Sequence, residues 1–335
     1  MPVLLFLEMF NPSSHSVSLG SASLFLDVKG KAGVTFVSHG HADHAVKSAS
    51  QLLCSKETMA LLKVRKYAKA ETQRIDVIAD EAKVSLHNAG HVLGSRQVLV
   101  ENGARFLYTG DLGVSESLTA GAVAVPQCDE LLVDCTFGAP RYVFPSRVEV
   151  GGEVAKWTLA NERKGIISII GGYSLGKAQE IIAHLNEAGI TPVVPKVIAE
   201  VSQVYNEHGC KLQFVSTETQ EGQSCLTGGF TAVFPLNLVK HNLGYAVREG
   251  YCREVRLAHC SGWTLDYRRP GIAGFPLSDH CDFEDLLNFV ERTGAKKVHC
   301  TASHASEFAL ALQRKGIDAR VKGEKQPQQL LNAFQ

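Results

Sequence analysis

Disulfide chemistry finds no foothold in this sequence: nine cysteines are scattered over 335 residues and no two form a Cys-x-x-Cys pair. That spacing argues against a disulfide framework and against a separate zinc ribbon. No apolar run reaches the roughly 20 residues that a membrane-spanning helix requires, so no membrane partner is expected. Residues 1–10 are apolar but have neither a basic start nor a small-residue cleavage site. They read as a first core strand, and the chain is expected to be cytoplasmic or nucleoid-associated, not secreted. Repeats and low-complexity segments are missing as well. Charge is balanced, with 34 Lys and Arg against 34 Asp and Glu, so a nucleic-acid groove would have to come from local clustering. Two clusters offer themselves: Lys63, Arg65, Lys66 and Lys69 on one expected helix, and Arg253, Arg256, Arg268 and Arg269 further on. What the chain does have is 45% hydrophobic residues, enough for two sizeable cores.

It also has Val37-Ser38-His39-Gly40-His41-Ala42-Asp43-His44, three imidazoles and a carboxylate within six positions. The β-branched run Val34 to Val37 predicts a buried strand, which puts His39 and His41 on the loop where it ends. A helix opening near Asp43 would aim Asp43 and His44 at a second ion. Imidazole with carboxylate suits zinc, with manganese or iron as geometric alternatives. Two ions about 3.5–4 Å apart need a bridging carboxylate and further imidazoles. His91, in a Gly-flanked turn, and Asp111, between glycines at the end of the apolar run Ala104 to Tyr108, supply candidates, with Asp111 as the bridge. His87 falls within the alternating run Val84, Leu86 and reads as a strand residue. His259 and His299 read as core or surface residues.

His39-Gly40-His41-Ala42-Asp43-His44, Gly90-His91 and Gly110-Asp111 resemble the metallo-β-lactamase superfamily. Three later segments resemble its β-CASP nucleases: Asp134-Cys135-Thr136-Phe137 with Tyr142-Val143-Phe144-Pro145, then Tyr173-Ser174-Leu175-Gly176-Lys177, then Leu277-Ser278-Asp279-His280. The wording of the first two is similar to the DNA cross-link-repair and Artemis-like branch and to bacterial ligase-associated DNA exonucleases. The resemblance implies an α/β fold, an αββα sandwich carrying an inserted β-CASP α/β domain. It implies His39, His41 and His91 on one ion, Asp43, His44 and His280 on the other, and Asp111 between them. The cofactors would be two zinc ions, with manganese or iron as substitutes and magnesium as an assay activator. Asp43, Asp134 and His280 would be catalytic, Asp134 accepting a hydrogen bond from His280 or from the attacking hydroxide. Ser174 and Lys177 would bind a scissile or terminal phosphate at a helix N-terminus. Gly171 to Lys177 also fits a P-loop by letter, but Ala178 stands where that motif needs Ser or Thr. RNA-processing members carry a further histidine after the last core strand. A gapless register places Ala302 there, which favours DNA, whereas a two-residue shift would bring His304 to the phosphate.

Ligand candidates stop at Asp111 and resume at His280, which predicts an insertion: residues 1–146 and 275–335 as the first domain and 147–274 as the second. The expected function is a metal-dependent 5′-to-3′ DNA exonuclease of repair type, with an RNA-processing nuclease as the alternative and nucleic acid as the partner in either case. A small-molecule metallo-hydrolase would explain the ligands but not the insertion.

Overall fold

A computed structural model of the chain describes residues 9–30, 33–47, 49–69, 71–75 and 82–324. The strand expected over residues 1–10 falls mostly outside these; its last residue begins β1. The first sheet comprises β1 (Phe10–Asn11), β2 (Ser16–Ser18), β3 (Ser23–Leu26), β4 (Val34–Phe36), β5 (Gln51–Leu53) and β6 (Gln73–Ile75), in that order. The second begins with β7 (Lys83–Asn88), β8 (Arg96–Asn102), β9 (Ala104–Tyr108) and β10 (Glu130–Asp134).

The chain then leaves the second sheet. It builds a third, from β11 (Ile167–Gly172), β12 (Val193–Val194), β13 (Val215–Ser216), β14 (Thr231–Pro235), β15 (Val255–Cys260) and β16 (Ile272–Phe275), before returning with β17 (Lys297–Thr301) and β18 (Asp318–Val321). β17 pairs in parallel with β10, aligning Asp134 with Thr301. Every pairing in the third sheet is parallel, in the order β13-β12-β14-β11-β15-β16. Such strands are buried on both faces, which is why β11 is buried at every position and, with the residue before it, reads as Ile166, Ile167, Ile169 and Ile170 about a single Ser168.

Helices α1 (Lys56–Val64), α2 (Arg147–Glu162), α3 (Lys177–Glu187), α4 (Lys196–Glu207), α5 (Gln220–Cys225), α6 (His241–Tyr251), α7 (Phe283–Thr293) and α8 (Ala305–Arg314) cover the sheets. Leu24, Leu26, Phe36, Val98, Phe106 and Leu132 pack the first sheet against the second. Val133, Val298 and Cys300 on the second sheet meet Leu286 and Phe289 of α7 and Phe308 and Leu312 of α8. Met59 and Leu62 of α1 cover Val37, Leu52 and Cys54. The four layers therefore run helix, sheet, sheet, helix. Ile170, Val194 and Val233 of the third sheet pack with α2, α3 and α4, and Leu61 of α1 joins that cluster.

Two local expectations fail. Residues 41–45 form turns, and the next helix starts only at Lys56, capped by Ser55. That helix closes at Val64, so Lys66, with a left-handed φ of 60°, and Lys69 lie beyond it.

Phe308 is wholly buried against Phe283. Phe308→Ala should cost about 3–5 kcal/mol of stability through the cavity it leaves. Leu310→Ala on the exposed side of α8 should stay within about 0.5 kcal/mol. Chemical denaturation of the two variants measures the difference.

Candidate metal centre

Strand ends and the turns after them bring the histidines together. Close approach sets the glycines: a Cβ on Gly90, at φ +70°, would fall 2.0 Å from the Gly113 carbonyl oxygen, and one on Gly110, at φ +56°, 2.5 Å from Ser38 Cβ. His39 Nε2 lies 2.9 Å from His41 Nδ1, which lies 3.2 Å from His91 Nε2. Asp111 Oδ2 is 3.4 Å from both His39 Nε2 and His91 Nε2. Donor atoms about 2.0–2.1 Å from one ion would sit roughly 3.0–3.4 Å from each other.

The hydrogen-bond network fixes what these atoms carry. His41 Nε2 faces the Leu175 carbonyl at 3.1 Å and His91 Nδ1 faces the Asp279 carbonyl at 3.1 Å, so both nitrogens donate. Ser38 Oγ gives its proton to Asp27 Oδ2 at 2.6 Å, so at 2.9 Å it must accept from His39 Nδ1. The three inward nitrogens are consequently bare lone pairs facing a carboxylate, an arrangement that a divalent cation satisfies and that nothing else among the neighbouring groups does. Burial pulls His39 and His41 below the ordinary imidazole range and His91 down to about 3, keeping them neutral as ligands must be.

A second, looser group adjoins it. His44 Nε2 lies 3.2 Å from Asp111 Oδ1, and His280 Nε2 lies 3.9 Å from Asp111 Oδ2. Asp134 Oδ2 accepts from His280 Nδ1 at 2.8 Å, while its Oδ1 takes the amide and hydroxyl of Thr136. Burial disfavours charge on His280, but the carboxylates of Asp134, Asp111 and Asp279 outweigh it and hold the ring at about 9. His44 is raised likewise, burial being overcome by Asp111 and Asp27. Asp43 stands apart, its carboxylate 80% exposed and 3.8 Å from His44 Nε2.

His41, Asp43, His44, Asp111, Asp134 and His280 border one cleft of about 1130 Å³, with Tyr173, Ser174, Trp263, Lys240 and Arg269 along its walls. Two residues expected at the phosphate are engaged by protein groups, although Lys177 also borders the cleft. Lys177 is 2% exposed and its ammonium lies 2.9 Å from Asp279 Oδ1. His304 caps α8, its Nδ1 is 3.2 Å from the Glu307 carboxylate and its ring packs on Tyr142. The cleft wall at that point is Thr301, Ala302 and Ser303, with Ala302 in a left-handed conformation at φ +73°. His87 pairs with Ser85 within β7, and His299 is buried against Glu130.

Sequence reasoning passed over two carboxylates. Asp27 takes the Ser38 amide on Oδ1, and on Oδ2 it takes the Ser38 hydroxyl, His44 Nδ1 at 2.7 Å and the Tyr108 hydroxyl at 2.8 Å. It ends the apolar run Leu24 to Leu26, the same pattern that marked Asp111 and Asp134, so the signal was present. Asp279, the second, precedes His280 in a segment read only for its histidine.

No protein-family model matches the chain. A "Probable DNA ligase" of Opitutus terrae is 30% identical over 325 residues, 93% of this chain and 31% of the ligase. The 5′ exonuclease Apollo of Gallus gallus is 26% identical over 274 residues, 78% of this chain and 57% of that protein. An RNase J-like protein of Methanocaldococcus jannaschii is 33% identical over 115 residues, 32% of this chain and 27% of its own length. This chain thus spans less than two thirds of each of these relatives. A crystal structure of a protein of unknown function from Enterococcus faecalis V583 superposes with a TM-score of 0.56 at 13% identity, over 82% of this chain and 76% of that one.

Mixed α/β layers around a buried cluster of imidazoles and a carboxylate define a protein built for divalent metal. Among such proteins the chain belongs to the β-CASP metallo-β-lactamase nuclease family.

Asp27→Asn keeps the shape of the acceptor but removes the charge that orients His44. It should weaken metal binding about 10- to 100-fold, with little change in the far-ultraviolet circular dichroism spectrum. A chelator-competition titration of the stripped protein measures this, and an unchanged affinity would show that Asp27 supports the fold alone.

Proposed function

We propose that the chain is a metal-dependent nuclease hydrolysing phosphodiester bonds, most directly a 5′-to-3′ DNA exonuclease of repair type. The observation carrying this reading is the division of Asp111, whose Oδ2 faces His39 and His91 while its Oδ1 faces His44. A carboxylate shared in this way suits two ions at phosphodiester spacing. His39, His41 and His91 would hold one ion; His44 and His280, with the exposed Asp43 as the third ligand, would hold the other. Zinc fits the nitrogen-rich donors best, with manganese or iron as substitutes. The four layers would be the metallo-β-lactamase sandwich, residues 1–146 and 275–335, and the third sheet with its helices the β-CASP insertion, residues 147–274.

When bound, such ions supply Lewis-acid charge to a phosphoryl oxygen and lower the pKa of water towards neutrality. The protein's own groups do the rest. Asp134 accepts the His280 Nδ1 proton, so Nε2, 3.9 Å from Asp111 Oδ2, is the nitrogen that would give up its proton to an ion. Ser174 would offer a hydroxyl to a phosphate at the cleft wall, and Lys240 and Arg269, which line the same cleft, would meet the backbone that follows. The exposed ring of Tyr173 offers a base a stacking surface.

DNA is favoured because Ala302, not an imidazole, occupies the cleft wall after β17, and because a relative matched over 93% of this chain is named a probable DNA ligase. The RNase J-like relative keeps RNA as the second reading. Digestion of matched 5′-phosphorylated single-stranded DNA and RNA, each labelled at either end and supplied with zinc or manganese, decides between them. Stepwise shortening of DNA from its 5′ end is expected, slowed by roughly 100-fold or more in Asp43→Ala and His280→Ala. Preferential loss of RNA would move the chain to RNA processing, and cleavage of neither would sink the nuclease reading.

A further inference from the structure

The Tyr-Ser-Leu-Gly-Lys segment looks like a phosphate loop, but its surroundings give it another task. The loop is braced from within: Gln179 Oε1 accepts the Gly176 amide at 2.8 Å, and Gln179 Nε2 donates to the Ser174 carbonyl and to Ser202 Oγ. Gly176, at φ +85°, sits so close to the centre that a Cβ there would fall 2.4 Å from Val92 Cγ1 and 3.3 Å from Asp279 Oδ2. From this loop the Leu175 carbonyl fixes His41 through Nε2. Two residues on, at the start of α3, Lys177 grips Asp279, whose own carbonyl fixes His91 through Nδ1 and also accepts from Arg147 Nη2 at 3.1 Å. Lys177 and Asp279 border the large cleft on one side and share with His91, Arg147 and Glu180 a gap of about 10 Å³, room for at most one water and none for a phosphate.

We infer that Lys177 is a positioning residue for the metal centre, holding Asp279 so that its carbonyl orients His91, and that it does not bind substrate phosphate. The inference rests on the metal-centre reading of the histidine cluster. A desolvated ammonium 2.9 Å from a carboxylate gives up that partner only if something stronger replaces it, and a substrate phosphate would leave Asp279 buried, charged and unpaired. Without Lys177 the segment Leu277 to Asp282 loses the tie that joins it to α3, and the carbonyl that sets the His91 tautomer loses its fixed place. The loop at the end of β11 therefore finishes a site whose other parts come from the first two sheets.

The test reads metal affinity apart from catalysis. Full-length wild type, Lys177→Met and Lys177→Arg are stripped, and Zn²⁺ uptake is measured in competition with a chromogenic chelator. KM is then measured at saturating metal for 5′-phosphorylated and 5′-hydroxyl single strands. Lys177→Met should bind Zn²⁺ about 10- to 100-fold more weakly, Lys177→Arg should recover most of the loss, and the ratio of the two KM values should stay at the wild-type level in both. Unchanged Zn²⁺ affinity in Lys177→Met, or a KM rise confined to the 5′-phosphorylated strand, would overturn the inference. If Lys177→Met does not fold, Lys177→Gln and Asp279→Asn carry the same comparison. A wild type that takes up no Zn²⁺ would instead overturn the metal-centre reading itself, and the inference with it.

Discussion

Three bare imidazole nitrogens and a carboxylate oxygen, 2.9–3.4 Å apart, face one another in the interior of this protein. Left to themselves they repel, because each inward nitrogen has surrendered its proton to the opposite side of its ring. The outward partners enforce this: Ser38 Oγ behind His39, the Leu175 carbonyl behind His41, the Asp279 carbonyl behind His91. A buried cation relieves the repulsion, and the partners lower the cost of binding it by fixing each tautomer in advance. The glycines beside the ligands follow from the same demand, since Gly90 and Gly110 let backbone from separate segments close to within contact.

What could be read from the chain alone was what is local. The density of ligands in His39 to His44 and the strand-end acids Asp111 and Asp134 depend on neighbours a few residues away, and periodicity with side-chain chemistry suffices to find them. Asp27 carried the same mark and was passed over, because a single acid after a short strand has no meaning until Ser38, His44 and Tyr108 close on it. Lys177 shows the opposite failure. Its motif is local, but the carboxylate that takes its ammonium is Asp279, far along the chain, and no spacing rule reports such a pair. Between Ala302 and His304 the sequence leaves the register open, because spacing does not set a turn at residue resolution; in the fold the left-handed Ala302 and Ser303 line the cleft, while His304 caps α8. A helix at Asp43 failed for a related reason. The segment needs turns to present its histidines from one short stretch, and helical spacing would have spread them round an axis.

The connectivity has consequences for assembly. Donors come from turns after β4, β7 and β9, while Asp134 ends β10, and the last imidazole, His280, arrives only after the third sheet has been made. Loop closure over such separations is costly before any contact rewards it, and all-parallel sheets share that disadvantage. The metal centre thus joins segments that would otherwise meet only through packing. The layers and the site stabilise each other, and metal affinity should be sensitive to parts of the chain that never approach the ion.

Charge in the cleft makes the same point from the side of the substrate. Its lining includes five carboxylates, Asp27, Asp43, Asp111, Asp134 and Asp279, and five Lys or Arg side chains, Arg65, Lys177, Lys240, Arg269 and Lys322. The sums cancel, as they do over the whole chain, but the positions do not. The carboxylates crowd around the imidazoles, and one of the cations, Lys177, is already committed to Asp279. A polyanion entering the metal-free cleft would meet attraction from Lys240 and Arg269 at the wall and, at the centre, carboxylates offset in part by the raised His44 and His280. Two divalent cations would bring four positive charges in place of those imidazole protons where the carboxylates are densest, a net gain in attraction over the short distances that salt does not screen. Neutral bulk charge is therefore compatible with a nucleic-acid partner: the sign of the field that a phosphate meets is set by the ions this site is shaped to hold.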